Sequence, residues 1–331
     1  MPCIAITGGT GHLGQHVVPL LINKGYRVRL LVRKELPVFF KHHEGLEPVV
    51  GSLEDRESLN SLLNGTEALI HAAAYIAVGR GKREDIFKVN VEATQRLYEL
   101  SSGLGLKRFV HISSVHAYRP FPTHELLDER RPLNFSGGLY DQSKAAAHDY
   151  LRNQSKAVDS MEVVVLSPSS MLGPPDYKPS LLGNALWRMA HGKVPALFPG
   201  GFDFCDIRDV AQATVQAIER AAPGSEYLLA GKWYSMHDLA AVLMDLAGSQ
   251  KRPKALPFWV GEWTVPLVEL GGRLAGKAPV FSKEALHILK HSPRRISSEK
   301  ANKELGYSCR PLEESLGDLV EWWKQEQIWK R

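Results

Sequence analysis

Thr7-Gly8-Gly9-Thr10-Gly11-His12-Leu13-Gly14 decides how this chain is read, because of what stands on either side of it. Before it, Cys3–Thr7 is a short β-rich run; after it, Leu13–Asn23 carries the apolar spacing of a helix. The glycines fall at Gly8, Gly11 and Gly14. In a strand–loop–helix unit the first permits the tight turn and the second lets a pyrophosphate approach the backbone. The third lets the helix press on the strand. The amides and dipole at the helix N-terminus then stabilise phosphate charge. A glycine triplet alone is a weak signal. Strand, loop and helix in this order make it a dinucleotide-binding one.

Outward from that loop, short apolar runs alternate with helical patterns, which predicts βαβ units and a parallel sheet. Val28–Val32, Ala68–His71, Phe109–Ile112 and Val163–Leu166 are the further strands, each β-rich as strands buried on both faces should be. Arg56–Leu63, Glu84–Ser101 and Tyr140–Arg152 are the helices between them, with Ile86, Val89, Ala93, Leu97 and Leu100 on one face of the second. From Pro168 to near Asp203 prolines and glycines mark a loop-rich stretch. Helices are expected at Val210–Ala221, Met236–Leu246, Trp259–Leu274, Lys283–Lys290, Ser298–Leu305 and Leu312–Trp329. The expected architecture is α/β, a doubly wound parallel sheet with a smaller mixed lobe. Residues 1–170 form the dinucleotide-binding domain and residues 171–331 the substrate lobe, with the helix at 207–222 packing back on the sheet.

Composition narrows the function classes. The 331 residues are 44% hydrophobic and 23% charged, which is globular rather than disordered. The net charge of +5 is spread without a basic run, which argues against nucleic acid and suits an anionic cofactor or substrate. Cys3, Cys205 and Cys309 form no CxxC pair and the thirteen histidines hold no HExxH. Neither a disulfide framework nor a metal site is expected, and a reducing cytoplasm fits. Met1–Ile6 runs straight into the glycine loop, so no leader is expected. No apolar run approaches the ~18 residues of a membrane span.

The second strand ends Leu30-Leu31-Val32-Arg33-Lys34, with no acid before Glu35. An NAD site usually places a carboxylate there for the ribose 2′-hydroxyl. Arg33 would instead meet a 2′-phosphate with a bidentate fork, and Lys34 adds charge, so NADP is expected with NAD as the alternative. Tyr140-Asp141-Gln142-Ser143-Lys144 opens a helix, putting Tyr140 and Lys144 one turn apart. A phenol with a pKa of ~10 needs help to exchange a proton near neutrality. A lysine ammonium, joined by the positive ring of an oxidised nicotinamide, favours the phenolate. Phe109-Val110-His111-Ile112-Ser113-Ser114 is a buried strand ending in two hydroxyls, at the end where ligands bind in this architecture. Ser114 is expected to hydrogen-bond the reacting oxygen while Tyr140 transfers the proton.

Taken together, these elements resemble the extended short-chain dehydrogenase/reductases, also called the NAD-dependent epimerase/dehydratase family, over nearly the whole chain. The matching motifs are the glycine loop, His71-Ala72-Ala73-Ala74, Asn90-Val91-Glu92-Ala93-Thr94, Ser113–Tyr118, Tyr140–Lys144 and Ile207-Arg208-Asp209-Val210-Ala211. The resemblance implies Ser114, Tyr140 and Lys144 as the catalytic set. It implies cofactor contacts from Gly8, Thr10, Gly11, His12, Leu13 and Gly14, from Ser52 and Leu53 at adenine, and from Ala72, Ala73 and Ala74 beneath the cofactor. Asn90 would be a hydrogen-bonding support, with Pro168, Ser170 and Met171 closing over the nicotinamide. Ser52 stands where the family often has aspartate, and Ser170 where nucleotide-sugar enzymes carry asparagine. Ser167-Pro168-Ser169-Ser170-Met171 and the Val32-Arg33 ending most resemble the dihydroflavonol-4-reductase-like branch.

The leading expectation is a reductase of a small carbonyl substrate; the second is a nucleotide-sugar epimerase or dehydratase that recycles its cofactor. A dinucleotide sensor on the same fold would need no Ser114/Tyr140/Lys144 set. The pocket is expected from His116–Tyr118, Met171–Lys178 and Trp187–Cys205. Of Lys178, Arg188, Lys193 and Arg208, Arg188 alone is read as a phosphate clamp, which is too little for a diphosphate. The resemblance also implies a homodimer formed through the helices near 84–101 and 140–152.

Overall fold

The computed structural model describes residues 1–40, 43–76, 81–156, 161–265 and 283–326. Seven parallel strands form the main sheet: β1 (Cys3–Thr7), β2 (Arg27–Val32), β3 (Leu46–Val50), β4 (Ala68–His71), β5 (Arg108–Ile112), β6 (Glu162–Pro168) and β10 (Glu226–Leu229). Their spatial order is β10-β6-β5-β4-β1-β2-β3. The direction of winding reverses between β1 and β4, which opens a crevice at the carboxyl ends of those strands. Both the glycine loop after β1 and Ala72–Ala74 after β4 reach it.

Alternation along the strands builds two core layers. Ile4, Ile6, Leu30 and Ile70 face helices Gly14–Asn23 and Ile207–Arg220, which contribute Val17, Leu21, Val210 and Ala213. Ala5, Leu31, Leu69 and Phe109 face the other way, against Leu59 and Leu62 of Arg56–Leu63 and Leu97 of Ala93–Gly103. The chain from 207 onward therefore completes the sheet domain with a helix, with β10, and with Ala301 and Leu305 of the Glu299–Leu305 helix.

The helix expected at Glu84–Ser101 runs from Arg83 to Gly103, but with a π turn at Lys88–Glu92. The wider turn rotates the inward face, so Asn90 and Val91 are buried where regular spacing expected Val89. Two strands of the sheet were not read from sequence. β3 contains Pro48 and Glu47 and lies half-buried at the sheet edge, where a missing N–H is tolerated. β10 has four residues and follows a Pro-Gly-Ser turn.

The stretch expected to be loop-rich is more ordered. It holds β7 (Ser170–Leu172), a helix at Leu181–Ala190, β8 (Ala196–Leu197) and β9 (Gly201–Asp206). β9 pairs with β7 in parallel and with β11 (Lys232–Ser235) antiparallel, while β8 pairs with β12 (Lys254–Ala255). Two buried aspartates, Asp203 and Asp206, break the apolar pattern that would have announced β9. Helices Leu181–Ala190, Met236–Leu246 and Leu312–Gln325 close a second core through Leu186, Leu239, Leu243, Leu316 and Trp323. Of the helix expected at Trp259–Leu274, residues 266–274 lie outside the described residues, as do 327–329 of the one expected at Leu312–Trp329. Among the described residues no helix is long and apolar enough to cross a membrane.

Candidate active site

Gly8 has φ +74°, and a Cβ there would meet the Ala73 nitrogen at 2.4 Å and the Ala72 carbonyl carbon at 2.5 Å. The β1 loop and the β4 loop therefore touch backbone to backbone, as only glycine allows. A Cβ on Gly14 would meet Gly9 Cα at 2.2 Å. Gly9, not singled out from sequence, is needed too: its Cβ would meet Leu30 Cδ1 at 2.2 Å. Gly11 differs, since its Cβ would touch nothing but Gly8 O at 3.1 Å, which leaves that side of the loop open. No acidic residue stands in the first turn of the Gly14–Asn23 helix, and no side chain caps it. An uncapped, acid-free helix start facing an open glycine fits a pyrophosphate.

His12 was expected at the cofactor; its Nε2 donates to Gly173 O at 2.9 Å. His16 Nε2 donates to Pro175 O at 3.1 Å, and Gln15 Oε1 accepts from Tyr177 N at 3.2 Å. The phosphate-loop helix thus fastens the 173–177 segment across the crevice. Burial and the neighbouring His12 bring His16 down to about 4, so its ring stays neutral. Arg33 and Lys34 stand exposed just past β2, with no carboxylate paired to them among the described residues. Ser52 and Leu53 follow β3; the Leu53 carbonyl accepts from Arg96 at 2.8 Å. Pro168 ends β6, and Ser170 and Met171 begin β7.

Ser114 lies just beyond β5 and caps the short turn Val115–Ala117, its Oγ accepting from His116 N at 3.2 Å. Tyr140 and Lys144 sit in the first turns of the Leu139–Gln154 helix, and all three residues are buried. The Ser114 hydroxyl neighbours the Tyr140 phenol. Burial raises that phenol above its ordinary range; the Ser114 hydroxyl works against it, and the Asp141 charge adds to the rise. Lys144, expected to favour the phenolate together with an oxidised nicotinamide, is not among the groups that shift the phenol here. Lys144 Nζ donates to Ile112 O at 3.0 Å, and burial lowers the ammonium to about 8.

Beside these residues opens a cavity of about 680 Å³. Its wall takes in Val115, His116, Phe121, Asp203 and Ile288, all neighbours of the catalytic segments or of β9, together with Arg119. The expected lining from Met171–Lys178 does not take part, and of Trp187–Cys205 only Phe202 and Asp203 do; Asn134, Ser136, Gly137, Gly138 and the helix Lys283–His291 also line the cavity. The expected cations also lie elsewhere. Arg208 pairs with Asp206 and Asp318, and Lys193 is exposed as expected, its ammonium over the Trp187 ring at 4.1 Å.

A profile of the NAD dependent epimerase/dehydratase family matches residues 4–230. The chain belongs to that family. Sterol demethylase protein B of Methylococcus capsulatus is 30% identical over 324 residues, covering 97% of this chain and 98% of that protein. A Synechocystis sp. protein that carries a dihydroflavonol 4-reductase name is 27% identical over 328 residues, covering 97% and 94%. The solved structure of gox2253 is 29% identical with a TM-score of 0.81, over 98% of both chains. The protein is an NAD(P)-dependent enzyme of the extended short-chain dehydrogenase/reductase type.

Other polar residues of the epimerase/dehydratase fold are supports. Asn90 Oδ1 accepts from Tyr75 N at 2.7 Å, and its Nδ2 donates to Ser143 Oγ at 3.0 Å. It ties the loop after β4 to the Tyr140 helix. The family motif Ile207–Ala211 is a clamp: Asp209 accepts from the backbone and guanidinium of Arg310. Ser113 Oγ hydrogen-bonds His148 Nδ1 at 3.3 Å, and His148 Nε2 lies 3.0 Å from Glu226, which Arg152 also holds. Burial would raise Glu226, but the hydrogen bonds from His148 and Arg152 outweigh it and bring the carboxyl to about 2. Ser113→Ala should therefore cost about 1 kcal/mol of stability, read as a lower melting temperature, and little turnover. Ser114→Ala, which loses a turn cap of similar worth, should in addition cut turnover by about 10²-fold. The reverse order would show that Ser113 is the catalytic hydroxyl.

Proposed function

We propose that this protein is an NADPH-dependent reductase of an alicyclic or otherwise largely apolar carbonyl compound. The observation that carries the reading is the cavity wall beside Ser114 and Tyr140, where Val115, Pro120, Phe121, Phe202, Ile288 and Ile296 present hydrocarbon surface. A nucleotide-sugar would need several cations converging on its two phosphates. The sterol and dihydroflavonol names of the two relatives point the same way.

The bound nicotinamide supplies the hydride. Ser114 donates a hydrogen bond to the carbonyl oxygen, and Tyr140 gives that oxygen its proton. Lys144 holds the ribose side, Asn90 keeps the Tyr140 helix in register with the β4 loop, and the glycine loop takes the pyrophosphate. Arg33, with Lys34, holds the 2′-phosphate that separates NADPH from NADH. Arg33→Ala should weaken NADPH binding about ten- to a hundredfold and leave NADH binding nearly unchanged, in fluorescence titrations. Tighter binding of NADH than NADPH by the unmodified protein would remove the NADP assignment. For the substrate class, the protein is offered cyclic ketones with NADPH, and UDP- and dTDP-sugars with either cofactor. Stoichiometric loss of nicotinamide absorbance on a ketone supports the reading. Epimerised or dehydrated sugar at constant absorbance overturns it.

A further inference from the structure

Ser114, Tyr140 and Lys144 would account for hydride chemistry, yet the cavity wall next to them carries a further imidazole. His116 lies in the Val115–Ala117 turn and lines the cavity. Its ring meets the Tyr140 ring edge-on, with centroids 5.9 Å apart, and its Nδ1 is 3.1 Å from Asp141 Oδ1. Asp141 is buried, and its other oxygen accepts from Gly138 N at 3.3 Å and Asn134 Nδ2 at 3.4 Å. Among the described residues Asp141 Oδ1 has no aligned hydrogen-bond donor, but a carboxylate 3.1 Å from Nδ1 favours the tautomer with the proton there, which leaves the lone pair on Nε2. Among the described residues, Nε2 has no protein partner. An imidazole beside a carboxylate, lining the cavity edge-on to the Tyr140 ring and with its second nitrogen unpartnered, has the makings of a general base.

Simple support does not explain the arrangement. The bond that steadies Ser114 comes from the His116 backbone N–H, which any residue would supply. The helix start at Gly138 takes its capping bond from Asp141 Oδ2, the oxygen that does not face His116.

We propose that His116 is a second proton-transfer residue, removing a proton from the carbon next to the substrate carbonyl; this rests on the carbonyl reading above. The C–H electron pair becomes a carbon–carbon double bond, and the carbonyl π pair moves to oxygen. There Ser114 and Tyr140 donate hydrogen bonds. The proton rests on Nε2, and the imidazolium is balanced by Asp141. Return of the proton restores the ketone, so no oxidant or reductant is consumed. The protein would then exchange hydrogens next to the carbonyl with solvent, and would scramble configuration at a stereogenic carbon there.

The test uses 2-decalone. Deuterium uptake from D₂O is read by mass spectrometry on protein saturated with NADP⁺, and reduction by NADPH oxidation in a separate assay. Exchange above the buffer rate is expected, and in His116→Gln the ratio of exchange to reduction should fall about 10²-fold. Reduction without exchange overturns the proposal, and so does a parallel fall of both rates in the variant. If 2-decalone is not reduced, the carbonyl-reductase reading is what fails, and ¹⁵N NMR of histidine-labelled protein decides the proposal. The resonance lost in His116→Gln should show a protonated Nδ1 and a bare Nε2, and Asp141→Asn should reverse that tautomer. A protonated Nε2 in the unmodified protein overturns it.

Discussion

Tyr140→Phe should cut ketone reduction by about 10²-fold or more while NADPH affinity changes little, because the ring stays and the transferable proton goes. The electrostatics give the prediction a direction. Burial raises the Tyr140 phenol, with the Ser114 hydroxyl only partly opposing it, so the resting side chain holds its proton. A reductase needs that protonated form, whereas alcohol oxidation needs the phenolate. Reduction should therefore be nearly flat from mildly acidic to mildly alkaline pH, while the reverse reaction climbs with pH. Stopped-flow traces in both directions, on the unmodified protein and the variant, measure this. Retained turnover in Tyr140→Phe would assign the acid to another group, with His116 in the adjoining cavity wall an alternative.

What the sequence disclosed was whatever is local. The glycine loop, the Tyr140/Lys144 spacing and the Ser113–Ser114 strand end each lie within a few residues, and each is set by backbone geometry that a short segment determines. Gly9 escaped because its constraint is Leu30 on the next strand, not the phosphate. The cavity wall escaped for a similar reason. Ile288 and His287 reach the site from a helix almost 150 residues beyond Tyr140, and no spacing rule links the two.

Charge misled the reading as well. Asp203 in β9 is buried, with Oδ1 accepting from Gly231 N at 2.8 Å, and burial raises its carboxyl to about 6. Sequence patterning takes such a residue for a surface or loop position. The π turn at Lys88–Glu92 has no sequence signature of its own. Its outcome, Asn90 turned inward to hold Tyr75 and Ser143, shows only once both partners are in place.

Lys144→Met should raise the melting temperature while it abolishes most turnover. Burial brings the Lys144 ammonium down to about 8 from its ordinary 10.5, and its nearby imidazoles lower the local tolerance for charge no further. His71 and His111 are themselves pushed down, first by burial and then by Lys144, His71 to about 3, so both rings are neutral and the charge of this region rests on the lysine. A group whose folded pKa lies below its unfolded one destabilises the fold fully at pH values below the folded pKa. That cost is relieved as pH rises through about 8 toward 10.5. At neutral pH it amounts to about 3 kcal/mol, and methionine removes it while filling the same space, less about 1 kcal/mol for the lost bond to Ile112 O. A gain of a few degrees in melting temperature at pH 7, shrinking toward pH 10, is the expected calorimetric result. A structural lysine would give the opposite sign. The buried ammonium donates to Ile112 O at 3.0 Å, and the proposed hold on the ribose is what would use its charge.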